Sequence, residues 1–366
     1  MSSRFDPRDP ASADFRAAVG SAITGFLDTK SHELDAIDPD LGILHALASV
    51  FTAGGKRLRP AFAYWGRVAA AGQPSEPEPL IAVAASLDLL HVSALVHDDL
   101  MDASDTRRGV PAVHRQLEDL HRERQGRGTP EAFGRAGAIL LGDLLIMWSE
   151  EMLTRSGLEP AALAKGLPLV EAMRTEVTCG QWLDVIAQSA PSSVDFAHAL
   201  ATATKVVEFK TNRYTVQRPL QFGAALGGAG DEVLDALAAF ASPLGRAFQF
   251  RDDVLGIFGD EELTGKPAGD DLREGKRTVL IAHALAGSSP TDAAELDALL
   301  GDHTLTVTDI ERGRAIITTS GAREAMEHTI EEGYASALGA LATAPITDEG
   351  RTALAALAEA SVRRSF

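Results

Sequence analysis

From about Pro60 onward, apolar residues recur every three or four positions in nearly every segment, the pattern of helices that turn one face inward. This spacing predicts clear helices over residues 81–102, 134–153, 161–187, 195–226 and 231–258. Weaker ones are expected over residues 278–286, 293–300, 322–342 and 352–363. No stretch alternates apolar and polar residues as a half-buried strand would. Several central segments are apolar around much of their circumference, which suits helices surrounded by other helices. The fold class is therefore all-α, one large helical bundle without internal repeats.

The breaks between helices are local. Pro74, Pro77 and Pro79 lie too close together for a helix interior, because each lacks an N–H and crowds the preceding turn. Residues 121–130 read as a charged surface loop, and Ser288-Ser-Pro-Thr291 ends one helix and caps the next. None of these resembles an interdomain linker. Residues 13–366 are thus expected to form one domain, behind a frayed polar tail over residues 1–12. The basic end, residues 361–366, reads as a second frayed tail, with folding over the site as the alternative.

Composition sharpens this picture. Hydrophobic residues make up 45% of the chain and aromatics only 5%, so alanine and leucine, both good helix formers, carry the core. The net charge of −18 excludes a general nucleic-acid surface, which needs a basic patch, but not an anionic substrate held through metal. With Cys179 the sole cysteine, no intrachain disulfide can form, which fits a reducing, cytoplasmic setting. No uninterrupted apolar run is long enough to suggest an integral membrane segment.

Candidate chemistry concentrates in two acidic clusters. In Asp98-Asp-Leu-Met-Asp102, the first and last aspartates lie one turn apart, separated by about 40° around a helix. Like charges at that spacing repel, and the apolar segment before them predicts burial, which is costly for uncompensated charge. A hard divalent cation such as Mg2+ relieves both problems, since it takes one or two carboxylates and completes its shell with water and phosphate. Arg107 and Arg108 follow, suited to forked hydrogen bonds with phosphate oxygens. Alone, the motif also fits a solvated helix end.

The second cluster closes another apolar segment with Asp252 and Asp253, followed by Asp260 and by a glycine-rich stretch carrying Lys266, Asp270, Asp271, Lys276 and Arg277. Two such clusters facing each other across a bundle would hold metal between them. Basic residues stand elsewhere. Gly54-Gly-Lys-Arg-Leu-Arg-Pro60 offers Lys56, Arg57 and Arg59 beside a helix beginning near Pro60, and Lys205, Lys210 and Arg213 interrupt an otherwise apolar helix. His91 lies two turns before Asp98 on roughly the same side.

Taken in order, these residues resemble the trans-isoprenyl diphosphate synthases, the polyprenyl synthetase family. The resemblance covers about residues 54–278. It rests on the Gly54–Pro60 motif, Asp98-Asp-Leu-Met-Asp102 with Arg107-Arg-Gly109, Lys210-Thr211, Phe248-Gln249 before Asp252-Asp253, Gly265-Lys266, and Asp270-Asp271. It implies a helical fold around a deep cavity, Mg2+ as cofactor and a homodimer. By position it gives Asp98, Asp102, Asp252 and Asp253 to metal. Arg107, Lys210 and Lys266 fall to the allylic diphosphate, with Thr211 and Gln249 beside the reacting carbons. Lys56, Arg59, His91 and Arg108 fall to isopentenyl diphosphate. One departure is Gly256, which stands where many relatives carry a third aspartate.

The implied reaction is ionisation of an allylic diphosphate, condensation with isopentenyl diphosphate, and elimination. Ser93 and Ala94, one turn before Asp98, are expected to leave the tail pocket open at that level, with Leu89 and Leu90 closing its floor. Geranylgeranyl diphosphate is the first expectation for the product, farnesyl the second and a longer chain the third. A terpene cyclase would carry a different second metal motif, and a non-catalytic partner subunit would have lost site residues.

Overall fold

The computed structural model describes residues 5–191, 195–259 and 269–363. Asp260, Lys266 and the Gly265 beside it lie outside them, so the roles implied for these residues have no structural counterpart here.

The chain builds a helical bundle. Two long helices, α1 (Ala13–Ile37) and α2 (Gly42–Thr52), precede α3 (Leu58–Ala71) and α4 (Glu78–Met101). After α4 come α5 (Val113–Glu123), α6 (Pro130–Thr154), α7 (Pro160–Gln188) and α8 (Phe196–Val206). A π-helix (Val207–Gln217) runs into α9 (Arg218–Leu226), and α10 spans Asp231–Phe258. The short α11 (Asp270–Arg273) leads to α12 (Val279–Gly287), α13 (Pro290–Leu299), α14 (Val307–Thr319), α15 (Ala322–Thr343) and α16 (Asp348–Val362). In the principal pairings α4 lies against α6, α3 against α9, and α10 against both α15 and the π-helix.

The all-α expectation holds with one small exception. Strands β1 (Thr106–Arg107) and β2 (Val110–Pro111) pair antiparallel, Thr106 opposite Pro111 and Arg107 opposite Val110. Their two-residue turn places Arg108 and Gly109 at φ 53° and 77°, the left-handed pair that a type I′ hairpin requires. Two strands of two residues leave no periodicity to read in a sequence.

The helix α4 shows why this sequence tolerates clustered carboxylates. Leu87 and Leu89 are essentially fully buried, and each such side chain is worth about 1.5–3 kcal/mol. The repulsion between aspartates one turn apart costs about 0.2–0.5 kcal/mol, so burial wins. The helix stops in a Schellman arrangement: Ala103 takes φ 54°, and the Ser104 N–H donates to the Asp99 carbonyl at 2.9 Å. That stop holds Asp102 at the cap rather than on a continuing helix.

Several expectations need correction. The clear apolar periodicity begins near Pro60, and α1 and α2 precede it within the helical domain expected over residues 13–366. Residues 5–12 are not frayed: Phe5 packs edge-on to Phe15 and Tyr64, and the Trp65 indole donates to the Pro10 carbonyl at 2.8 Å. Residues 121–123 belong to α5, with His121 buried and its Nε2 3.1 Å from the Arg127 carbonyl oxygen. The single helix expected over 195–226 is continuous from Phe196 to Leu226, with a π-helical stretch over Val207–Gln217 in its middle. At the other end, Ser361 is buried and Arg363 is fixed by a bidentate pair with Glu331 at 2.9 and 3.0 Å, so these residues are not a frayed tail. Among the described residues, α4 and α6 are long and apolar enough to cross a membrane by length and composition alone. The apolar window of α4 is mostly inside the bundle, as a core helix should be.

Candidate active site

One cavity of about 720 Å³ opens between α4, α7, α8, the π-helix, α10 and the α11 region. His91, Leu95 and Asp98 line it from α4, each three or four residues after the last and so on one helical face. Asp252 and Asp253 line it from α10, and Lys210 and Thr211 from the π-helix. Lys56, Arg107, Arg108 and Gln249 complete the part foreseen from sequence. The two acidic clusters therefore do share one cavity.

Asp98 is the hub. Its Oδ1 accepts from Gln181 Nε2 at 2.8 Å and from Lys210 Nζ at 3.1 Å. Burial opposes its ionisation, but Lys210, Lys276 and Arg107 outweigh that and hold its carboxyl well below the usual range. Asp102 behaves oppositely: burial first, then the charge of Asp98, pushes it up. Its Oδ1 is buried without a hydrogen-bond partner. Asp99 faces away from this pair and holds Arg107, accepting from its Nε at 2.8 Å. The guanidinium so held stands 3.9 Å from Asp98.

The π-helix explains how Lys210 arrives. Gly180 of α7 packs against the backbone of Phe209 and Lys210, where a Cβ would meet the Lys210 nitrogen at 2.4 Å. This close approach sets the wide turn beside α7, and such turns are frequent at functional sites. Lys210 Nζ then donates to Asp184 of α7 at 2.6 Å as well as to Asp98. Burial lowers its pKa, but Asp98 and Asp184 raise it further, so it stays charged. Arg213 turns the other way, pairing with Glu176 at 2.7 Å and Glu208 at 2.9 Å, and Lys205 is exposed.

On α10, Gln249 Nε2 donates to Asp253 Oδ1 at 2.7 Å while its Oε1 accepts from the Thr211 hydroxyl. Asp253 is only 3% exposed, and burial pushes its pKa well up. Its Oδ2 has no partner.

The basic loop divides its work. Lys56 faces the cavity, whereas Arg57 is buried in a pair with Asp88 and donates to the Thr52 carbonyl at 2.7 Å. Arg59 donates to the Thr215 hydroxyl at 2.7 Å and stacks over the Tyr214 ring at 4.2 Å. His91 keeps Nδ1 buried and unpartnered, and burial followed by Arg59, Arg108 and Arg107 keeps its imidazole neutral. Of the three positions expected to gauge chain length, Ser93 and Leu90 are buried and Ala94 is half-buried. None is among the residues that line the described cavity; Leu95, Ala203, Val206, Val207 and Leu255 form its apolar wall.

Sequence reasoning assigned no role to Asp184, Gln181 or Lys276. Lys276 is half-buried between the clusters, its Nζ 2.5 Å from Glu274, 3.5 Å from Asp271 and 3.9 Å from Asp102. Asp184 and Gln181, three apart on α7, carried the only available signal, polar residues on an otherwise apolar helical face.

The residues suit a hard divalent cation: carboxylate donors, with buried unpartnered oxygens on Asp102 and Asp253. Among the described residues no group of three or more His, Cys, Asp or Glu side chains is gathered closely enough to hold a metal ion by itself.

An all-α bundle with paired aspartate clusters and cations around one apolar-walled cavity defines an enzyme that handles a diphosphate on a hydrophobic tail. The comparisons agree. The family described as polyprenyl synthetase matches residues 42–317, and the chain belongs to that family; it is a prenyltransferase. A geranylgeranyl pyrophosphate synthase from Corynebacterium glutamicum, complexed with isoprenyl diphosphate and magnesium, is 41% identical with a TM-score of 0.91, covering 96% of this chain and 99% of that one. The geranylgeranyl diphosphate synthase of Methanosarcina mazei is 33% identical over 285 residues, 77% of this chain and 78% of that protein. The nonaprenyl diphosphate synthase of Mycobacterium tuberculosis is 28% identical over 359 residues, 97% of this chain and 96% of that protein.

Proposed function

We propose that the chain is a Mg2+-dependent, short-chain trans-prenyltransferase that condenses isopentenyl diphosphate with allylic diphosphates and makes geranylgeranyl diphosphate. The observation that carries this reading is the meeting of Asp98 and Asp252 in one cavity with Lys210 between α4 and α7. Asp98, Asp102, Asp252 and Asp253 would hold the metal, which supplies Lewis-acid neutralisation of the diphosphate.

The protein's own residues do the rest. Lys210, Arg107 and Lys276 are fixed cations at the acidic end of the cavity and stabilise charge as the allylic C–O bond breaks. Lys56, Arg108 and the neutral His91, which line the same cavity, hold the second diphosphate, with Arg59 stacked on Tyr214 nearby. The double bond of isopentenyl diphosphate attacks the allylic carbon, a new C–C bond forms, and the proton lost from the adduct passes to the released diphosphate. Thr211 and Gln249 form a polar strip beside the reacting carbons. Leu95, Ala203, Val206 and Val207 keep water from the cation.

The exposed face of α6 supports a homodimer. Phe133, Leu140 and Met147 recur every seven residues at 42%, 60% and 57% exposure, flanked by Ile139 and Ile146. A contiguous apolar stripe of this kind needs a partner, and a second copy is the simplest. Cys179, unpaired and exposed, supports a reducing compartment, the cytoplasm.

The test is incubation with isopentenyl and dimethylallyl diphosphates plus Mg2+, with chromatography of the products. A twenty-carbon diphosphate is expected; absence of any condensation product defeats the reading.

A further inference from the structure

The residue before Asp252 on α10 is an arginine that faces away from the cavity. Arg251 is 7% exposed and lies about 100° around the helix from Asp252, so it reaches into the packing of α15 and α16 while Asp252 lines the cavity. A buried guanidinium is costly unless its donors are met. Here Nη1 and Nη2 each donate to one carboxylate oxygen of Glu327 on α15 at 2.8 Å. Nε donates to the carbonyl of Val362, the last residue of α16, at 3.2 Å. The two-pronged grip on Glu327 uses the planar fork that arginine has and lysine lacks.

The residue after Val362 connects this grip to the site. Arg363 caps α16 and lines the same cavity as Asp252. Its guanidinium donates to both oxygens of Glu331, at 2.9 and 3.0 Å, and lies 5.4 Å from the centre of the Tyr334 ring. Glu327, Glu331 and Tyr334 follow at four- and three-residue spacing, so one face of α15 receives both arginines. The Arg363 side chain is 53% exposed and that of Glu331 45%, and a pair in such water-rich surroundings holds little by itself. The buried, charge-assisted bond from Arg251 to the Val362 carbonyl is the stronger hold on this end of the chain.

We propose that Arg251 is a positioning residue: it ties the end of α16 to the turn of α10 that carries Asp252, and so keeps the Arg363 cation at the wall of the cavity. The inference rests on the prenyltransferase reading, in which that wall faces a diphosphate. Arg251 touches no substrate itself, and its effect on the reaction passes through Arg363.

A double-mutant cycle on the full chain tests the tie. Arg363→Met should raise KM for one of the two diphosphate substrates by about tenfold, the scale of one charged hydrogen bond, and change kcat less. Arg251→Met should raise the same KM by a similar factor. The double variant should be no worse than Arg363→Met, because the tie then has no cation left to place. Glu327→Gln, which keeps the shape and weakens the grip from its more exposed side, should follow Arg251→Met and carries the test if that variant does not fold. Trypsin digestion read by intact mass needs no substrate: cleavage after Arg363 should be at least about tenfold faster in Arg251→Met or Glu327→Gln than in the parent, with other sites unchanged. Parental KM values in Arg363→Met, losses that multiply in the double variant, or parental cleavage after Arg363 when the grip is weakened each overturn the proposal. The two readings separate. A parent that condenses substrates while the losses multiply refutes only this inference. A parent that makes no product while cleavage after Arg363 accelerates as stated refutes the prenyltransferase assignment and leaves the tie standing.

Discussion

Nζ of Lys210 lies 3.1 Å from Oδ1 of Asp98, although 112 positions separate the two residues in the chain. The contact joins α4 to the π-helix and puts a charged lysine beside Asp98 in the cavity; in the proposed reaction it faces the charge that develops on the leaving group. Lys210→Ala should lower kcat on the order of 10²–10³-fold, the usual loss for one pre-placed electrostatic partner. Asp98→Ala, or chelation of the metal, should abolish turnover in a radiolabelled condensation assay while far-ultraviolet circular dichroism stays helical. Full activity in either preparation ends the mechanism.

Protonation makes a second prediction, for the metal-free protein. Folding raises Asp102 to about 7, through burial and then Asp98, and raises Asp253 strongly. The folded state then holds protons that the unfolded state has released, so stability falls as pH rises from about 4 to 7. Asp98, held low, loses its contribution only in stronger acid. Chelated protein should therefore melt at a lower temperature at pH 7.5 than at pH 5.5. Mg2+ with pyrophosphate should raise the value at pH 7.5 by more than at pH 5.5. A flat profile by calorimetry contradicts the assignment.

Arg57 tests the basic loop. Its guanidinium and the Asp88 carboxylate are both buried, and Arg57 itself sits at φ 53° as the residue before α3. Removing one partner strands the other, which costs about 3–5 kcal/mol for buried pairs. Arg57→Ala should lose stability in that range by urea denaturation and raise KM for isopentenyl diphosphate more than it lowers kcat, because Lys56 is the adjacent residue. A loss under about 1 kcal/mol, the range of exposed pairs, is the contrary result.

The α6 stripe predicts its own disruption. Leu140→Glu together with Met147→Glu should convert a dimer into a monomer by light scattering after gel filtration, with helix content retained. An unchanged mass places the dimer contact elsewhere or nowhere.

Product length gives the last test. If the tail runs back along α4, Ala94→Phe and Ser93→Phe should each shift the main product to a shorter diphosphate. Since Ala94 is half-buried while Ser93 is fully buried, Ala94→Phe should act with less loss of stability. An identical product distribution in Ala94→Phe discards this ruler.

Much of the site was legible because its chemistry is local. Asp98 and Asp102, or Asp252 and Asp253, stand close in sequence, and their spacing on a helix follows from its pitch alone. The all-α class was legible for the same reason, since 3.6-residue periodicity survives in any long half-buried helix. Other features came only from packing. The wide turn at Lys210 needs Gly180 from a different helix, and the pairing of Lys210 with Asp184 needs both. Phe5 looks like part of a polar leader until Phe15 and Tyr64 offer it a pocket.

By itself, then, the chain's order of residues determined helices, two carboxylate pairs and a set of cations, all properties of neighbours within a turn or two. Tertiary structure decided which of those cations reach the cavity, sending Lys210 and Lys56 inward while Arg57 and Arg213 became braces. The reason is physical: a side chain's direction follows from its own helix, but what it meets there depends on elements distant in sequence, whose placement is fixed by the burial of the whole core.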